Sequence, residues 1–191
     1  MIAQPQSRAI YSPEEYLEME VVPDRKHEYI NGEIIPMTGG TIAHNIIIGN
    51  LLVYLSLALR GKDFNIFFTD LRLWIPQRNV YTYPDLMIVS GEIAFHADRK
   101  DTITNPILIV EVLSKSTSSY DRGEKFHFYR TIDSLNEYIL VEQDQMAVEQ
   151  FTKLDRNKWQ FQSYEQSSEQ IEFAYIPATI CLADIYDKIT F

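Results

Sequence analysis

Residues 106–113 read PILIVEVL, a nearly unbroken apolar run with one acid, Glu111, inside it. A run of this kind suits a central strand covered on both faces, so the chain must supply layers on either side of it. The acid is the harder constraint. An isolated ionised carboxylate at that depth is very costly, so Glu111 must be paired, protonated or bound to a metal. A structural ion pair with a neighbouring helix meets that requirement as well as a functional site does.

The rest of the chain supplies the layers. Ser12-Pro13-Glu14-Glu15 opens a helix over 11–19, with serine at the cap, proline in the first helical position and acids in the first turn. HEYINGEIIPM places two extended runs around Asn31-Gly32, a hairpin signal. Thr41–Arg60 reads as one long helix stopped at Gly61, with Ile47, Leu51, Leu55 and Leu59 on a buried face. Strands are expected over 65–75 and 81–90, parted by a loop at 76–79. A helix follows over 118–131 and a strand at EYILVE, 137–142. Residues 146–153, 159–164 and 170–176 then suggest an antiparallel meander. With no repeat or linker, and 46% hydrophobic residues in 191, one α/β domain spanning 1–191 is expected: a mixed sheet flanked by helices.

Composition narrows the function classes. The single cysteine, Cys181, excludes an intramolecular disulfide framework and a cysteine-rich zinc site. No membrane span and no signal-peptide-like run are expected, which points to a cytoplasmic protein. The net charge of −10 argues against a general nucleic-acid coat. Most of the acidity sits in residues 131–191, with 4 Lys+Arg against 11 Asp+Glu. Residues 99–130 carry six basic and four acidic side chains, either a weak phosphate-facing surface or an ordinary solvated one.

Two further residues give Glu111 company. Tyr83-Pro84-Asp85 opens the apolar run LMIV, so a second acid stands at the start of a second buried strand. Two carboxylates on neighbouring strands can converge on one hard cation, which prefers oxygen ligands and keeps several waters. Lys125 lies in SSYDRGEKFHFYR, four residues after Asp121 and four before Tyr129, all on one helical face. It either reaches back to Glu111 or makes an exposed pair with Asp121. Glu28 and Glu33, on the hairpin arms, either join the carboxylates or pair with Arg25 or Lys26. His44, in the first turn of the long helix, is a capping or hydrogen-bonding group or else a ligand. Ser114 and Ser116 fit a turn better than a nucleophile, since no triad pattern accompanies them.

The strings YPDLMIV, PILIVEVLSKST, YDRGEKFHFYR and EYILVE, with HEYINGEII, AHN and ICLADIY, are similar to the Uma-two family of endonucleases in the PD-(D/E)XK superfamily. The resemblance covers nearly the whole chain. It implies a restriction-endonuclease-like fold, with Asp85 as the first metal-binding aspartate, Glu111 as the second acid and the Val112 carbonyl completing the protein's ligands. In the superfamily the lysine stands two residues after the second acid. Leu113 stands there in this chain, and Lys125 looks like a migrated replacement. The catalytic set implied is Asp85, Glu111, Lys125 and Glu33.

The expected activity is Mg²⁺- (or Mn²⁺-) dependent hydrolysis of a phosphodiester, most simply in DNA, by a homodimer. Outward-facing aromatics among Phe151, Trp159, Phe161, Tyr164, Phe173 and Tyr175 could form its contact, although core packing explains them equally well. The rival is a catalytically silent module on a nuclease scaffold that binds nucleic acid or protein. A basic groove leading to Asp85 and Glu111 favours the enzyme, and an acidic or closed approach favours the module.

Overall fold

The structure, a computed structural model, describes residues 10–21, 26–37 and 39–191. Arg25, one candidate partner for the hairpin acids, lies outside them. Helix α1 (Pro13–Met19) starts as its residues dictate: the Ser12 hydroxyl accepts from the Glu15 amide, and the Glu15 carboxylate accepts from the Ser12 amide. Strands β1 (His27–Ile30) and β2 (Glu33–Pro36) form the hairpin. Asn31 and Gly32 both have positive φ, at 50° and 97°, as its two-residue turn requires.

Helix α2 (Ile42–Leu59) is capped by the Thr41 hydroxyl and followed by Gly61 at φ 75°. It buries Ile47, Ile48, Leu51, Leu55 and Leu59. With no Asp, Glu, Lys or Arg in 18 residues, it is long and apolar enough by length and composition to cross a membrane. It is not an unbroken apolar run, since His44, Asn45, Asn50 and Ser56 interrupt it, and one face is core.

The runs 65–75 and 81–90 are each cut in two, and the halves serve different sheets. β3 (Phe64–Phe68) and β6 (Leu86–Ser90) join one sheet; β4 (Arg72–Ile75) and β5 (Val80–Thr82) join another. Both cuts fall side by side, where the Thr69 amide donates to the Asp85 carbonyl at 3.1 Å. Thr69 takes φ 50° there, and Pro84 has no amide for a ladder. The remaining elements are β7 (Thr102–Ile103), β8 (Leu108–Leu113), α3 (Ser118–Tyr120), a π-helical turn (Asp121–Lys125), α4 (Phe126–Tyr129), β9 (Glu137–Glu142), β10 (Val148–Asp155), β11 (Lys158–Tyr164), β12 (Gln170–Glu172), β13 (Thr179–Cys181) and α5 (Leu182–Ile185).

The main sheet runs β11-β10-β9-β8-β6-β3, with β8 and β9 parallel and the other pairs antiparallel. A second sheet runs β2-β1-β5-β4-β7. The expected meander is thus divided. β10 and β11 extend the main sheet, while β12 pairs with β13 alone. Along β8 every residue is buried, and alternation sends the side chains two ways. Leu108, Val110 and Val112 join α2 and α5 in one core. Ile109 and Leu113 join α4 and the second sheet in the other. Glu111 therefore points toward the helical segment that carries Lys125. Of the C-terminal aromatics, Phe151 and Trp159 pack on Phe126 and Phe173 is buried, whereas Phe161 and Tyr175 face outward.

Gly32→Ala tests the hairpin that carries Glu28. The new Cβ would lie 2.6 Å from Ile10 Cγ2, on a backbone at φ 97°. The expected loss is about 1 kcal/mol or more in urea unfolding. An unchanged midpoint would refute this account of the turn.

Candidate active site

The β6–β8 ladder ends at Leu86↔Val110, and continuing its register sets Asp85 opposite Glu111. Directly opposed residues of an antiparallel pair share a face, so the two carboxylates converge. The Asp85 amide lies 3.4 Å from Glu111 Oε2. Beyond the ladder's end the Val112 amide has no strand partner on that edge, and it donates to Asp85 Oδ2 at 2.8 Å. A strand residue sends its N–H and C=O to the same edge, so the Val112 carbonyl also leaves on the Asp85 side.

Glu111 Oε1 accepts from Lys125 Nζ at 2.9 Å and from the Tyr129 hydroxyl at 2.6 Å. The same ammonium lies 3.4 Å from Asp121 and 3.6 Å from Glu28. Glu28 in turn accepts from the Thr82 hydroxyl and, at 3.2 Å, from Tyr120. The reading of Asp121–Lys125 as an exposed pair is thereby overturned: both residues are buried, and the lysine faces three carboxylates. Lys26, proposed for the hairpin acids, pairs with Asp70. The His44 amide donates to the capping Thr41 hydroxyl, and the His44 Nε2 donates to Asp85 Oδ2 at 3.1 Å.

These groups sit in a cleft of about 840 Å³. Its lining brings together Glu28, Glu33, Asp85, Glu111, Asp121 and Glu124 with Lys125 and His44. Glu33 belongs to the wall, on the exit arm of the hairpin. Ser114 and Ser116 hold each other at 3.0 Å in the turn after β8, as a loop-forming role requires. The approach is acidic. Of the six bases of 99–130, Arg99 holds Asp101, Arg122 holds Glu142 and Glu149, and Lys125 is inside; Lys115, between the lining residues Ser114 and Ser116, is exposed and lies 4.0 Å from Asp144.

The charge balance follows. Burial pushes the Glu111 carboxyl up to about 8; Lys125 pulls against this, while Asp85 and Asp121 add to it. Burial likewise raises Asp121, again opposed by Lys125. For Lys125 burial works toward neutrality, yet Glu111, Tyr129, Glu28 and Asp121 hold the ammonium well above its ordinary value. One cation is thus shared by more acids than it can neutralise, and a proton or a metal ion relieves the excess. Among the described residues no group of three or more His, Cys, Asp and Glu forms a ready-made shell. What is present fits a hard cation that takes one or two carboxylates and keeps its waters: Asp85, Glu111 and the Val112 carbonyl, all oxygen donors.

Sequence reasoning left three contributors without a site role. Four-residue spacing sets Tyr129 on the helical face of Asp121 and Lys125 without assigning it a role, and nothing in their local sequence marks Tyr120 or Thr82. Each donates a hydroxyl to a buried acid, and the signal available was a tyrosine or threonine on an element facing a carboxylate that needs donors.

The chain as a whole is similar to several known proteins. Residues 13–183 match the family model Uma2, described as "Putative restriction endonuclease". Two relatives from Synechocystis are similar over most of their length: Uncharacterized protein sll1609 is 38% identical over 167 residues, covering 87% of this chain and 94% of that one. Uncharacterized protein slr1290 is 37% identical over 182 residues, covering 94% and 93%. The fold resembles the crystal structure of a putative nuclease belonging to DUF820 from Anabaena variabilis, with a TM-score of 0.73 at 15% identity over 93% of this chain and 98% of that one.

A raised carboxyl makes stability depend on pH in a definite direction. With its folded value near 8 and its ordinary value at 4.5, Glu111 keeps a proton in the folded chain over a range where the unfolded chain has lost it. Its contribution is fully present below 4.5 and is lost as pH rises through about 8, to an extent on the order of a few kcal/mol. Urea unfolding in the presence of a chelator should therefore fall more steeply with pH for the native chain than for Glu111→Gln. Parallel curves would sink this account.

Proposed function

Because the chain belongs to the Uma2 family of restriction-endonuclease-like proteins, we propose that it is a divalent-metal-dependent endonuclease that hydrolyses phosphodiester bonds in DNA. The observation that carries the reading is the convergence of Asp85 and Glu111 at the end of the β6–β8 ladder, with Lys125 on the second acid. Mg²⁺ or Mn²⁺ would be held by Asp85, Glu111 and the Val112 carbonyl. Such an ion supplies positive charge to a phosphate oxygen and lowers the pKa of a bound water.

The chain's own groups divide the remaining work. The Lys125 ammonium keeps a donor beside the carboxylates, where negative charge grows on the phosphate in the transition state. Tyr129 and the Val112 amide orient Glu111 and Asp85. His44 holds Asp85 from the first turn of α2. Glu28 and Asp121 position Lys125 from the hairpin and the π-helical turn. Glu33, on the cleft wall, is the fourth member of the proposed catalytic set.

The acidic lining favours a second reading, a catalytically silent module on the same scaffold. Polyanionic DNA gains nothing from six nearby acids unless cations enter first. Calorimetry separates the two. The nuclease reading expects Mg²⁺ or Mn²⁺ binding to the native chain that Asp85→Ala and Glu111→Ala abolish. It further expects metal-dependent cleavage of plasmid DNA that Lys125→Ala lowers by about a hundredfold or more, the scale of losing one charge-stabilising donor. Absence of metal binding even with DNA present would overturn it in favour of the module.

A further inference from the structure

The side of α2 turned away from the core is apolar along its length. Ile42, Ile46, Gly49, Val53 and Leu57 recur at steps of four, three, four and four, which is one helical stripe. Ile42 is 82% exposed, Val53 57% and Leu57 65%, and Ile46 is partly exposed. Tyr54, 40% exposed, flanks them. The stripe lies opposite Ile47, Leu51 and Leu55, which are buried.

We propose that this stripe is the contact surface of a symmetric homodimer, in which α2 packs antiparallel against α2 of a second copy. Three observations select that occupant. First, the stripe is its own complement: a two-fold axis between Gly49 and Asn50 sets Ile42 against Leu57 and Ile46 against Val53. An isologous contact demands that correspondence, and a different partner would have no need of it.

Second, Gly49 has no reason inside its own chain. A mid-helix glycine is about 1 kcal/mol worse than alanine, and a Cβ built there meets nothing within 4 Å. At the crossing point of two helices, the missing side chain lets the backbones approach.

Third, the scale and charge fit. With Ile42, Val53, Leu57 and Tyr54 exposed by 82%, 57%, 65% and 40%, pairing two copies would bury apolar surface on the order of the 1,000 Å² that a specific interface needs. The 18 residues carry no Asp, Glu, Lys or Arg, so the helix itself brings no like charges to the contact. A lipid surface fits less well. Interfacial helices flank the apolar face with Lys and Arg, and this helix has none on a chain of net charge −10.

Sedimentation velocity on the full chain tests the proposal. The native chain should sediment as a dimer at micromolar concentration. Val53→Asp and, as a milder variant, Leu57→Gln should both run as monomers while keeping their far-UV circular dichroism. In a Cys181→Ser background, Gly49→Cys should oxidise to a disulfide-linked dimer, and Lys100→Cys, at an exposed site off the stripe, should not. A native chain that is monomeric throughout would overturn the proposal, including one that instead pelleted with phosphatidylcholine vesicles. So would a dimer that both stripe variants leave intact or that Gly49→Cys does not cross-link. None of these variants touches the cleft, so metal binding at Asp85 and Glu111 stands or falls independently.

Discussion

One ammonium inside the protein organises the rest. Lys125 is buried against Glu111, Asp121 and Glu28, which come from the central strand of the main sheet, a π-helical turn and a hairpin of the second sheet. Each of those carboxylates would be very costly at that depth without a cation, and the cation would be equally costly without them. The lysine therefore ties three layers together at a single point. Hydroxyls from Tyr129, Tyr120 and Thr82 complete the shell. The negative charge left over is what makes the cleft receptive to a cation.

The position of this cluster follows from how the two sheets separate. The chain leaves the main sheet after Phe68 and returns to it at Leu86, and the two crossing points touch between Thr69 and Asp85. Where strands part, ladder partners run out and amides such as that of Val112 need another acceptor. A carboxylate is a good one. The same loss of pairing that would weaken a sheet in a featureless protein here supplies the donor that fixes Asp85. The N-terminus of α2 reaches the same gap and contributes His44.

Much of the fold was legible because its signals are local. The Ser12 cap, the Asn31-Gly32 turn and the stop at Gly61 depend on a few adjacent residues, and all appear where the residues place them. The burial of Glu111 was legible from its apolar neighbours alone. Three features were not. Division of 65–75 and 81–90 between two sheets depends on contacts between distant strands, and apolar runs look alike in either sheet. The depth of Asp121 and Lys125 depended on what covers their helix, which four-residue spacing does not reveal. The role of Glu28 depended on the hairpin folding back onto a helix more than ninety positions away.

The π-helical turn at Asp121–Lys125 has a consequence for how such a protein can change. A turn of this kind carries one residue more than an α-helix needs, and its hydrogen bonds reach five positions instead of four. Deleting one residue within it would let the segment close into ordinary α-helix while Phe126–Tyr129 kept their seats in the core. What would be lost is the joint aim of Asp121 and Lys125. A one-residue deletion there would thus strip the buried acids of their cation and leave the core around Phe126–Tyr129 in place.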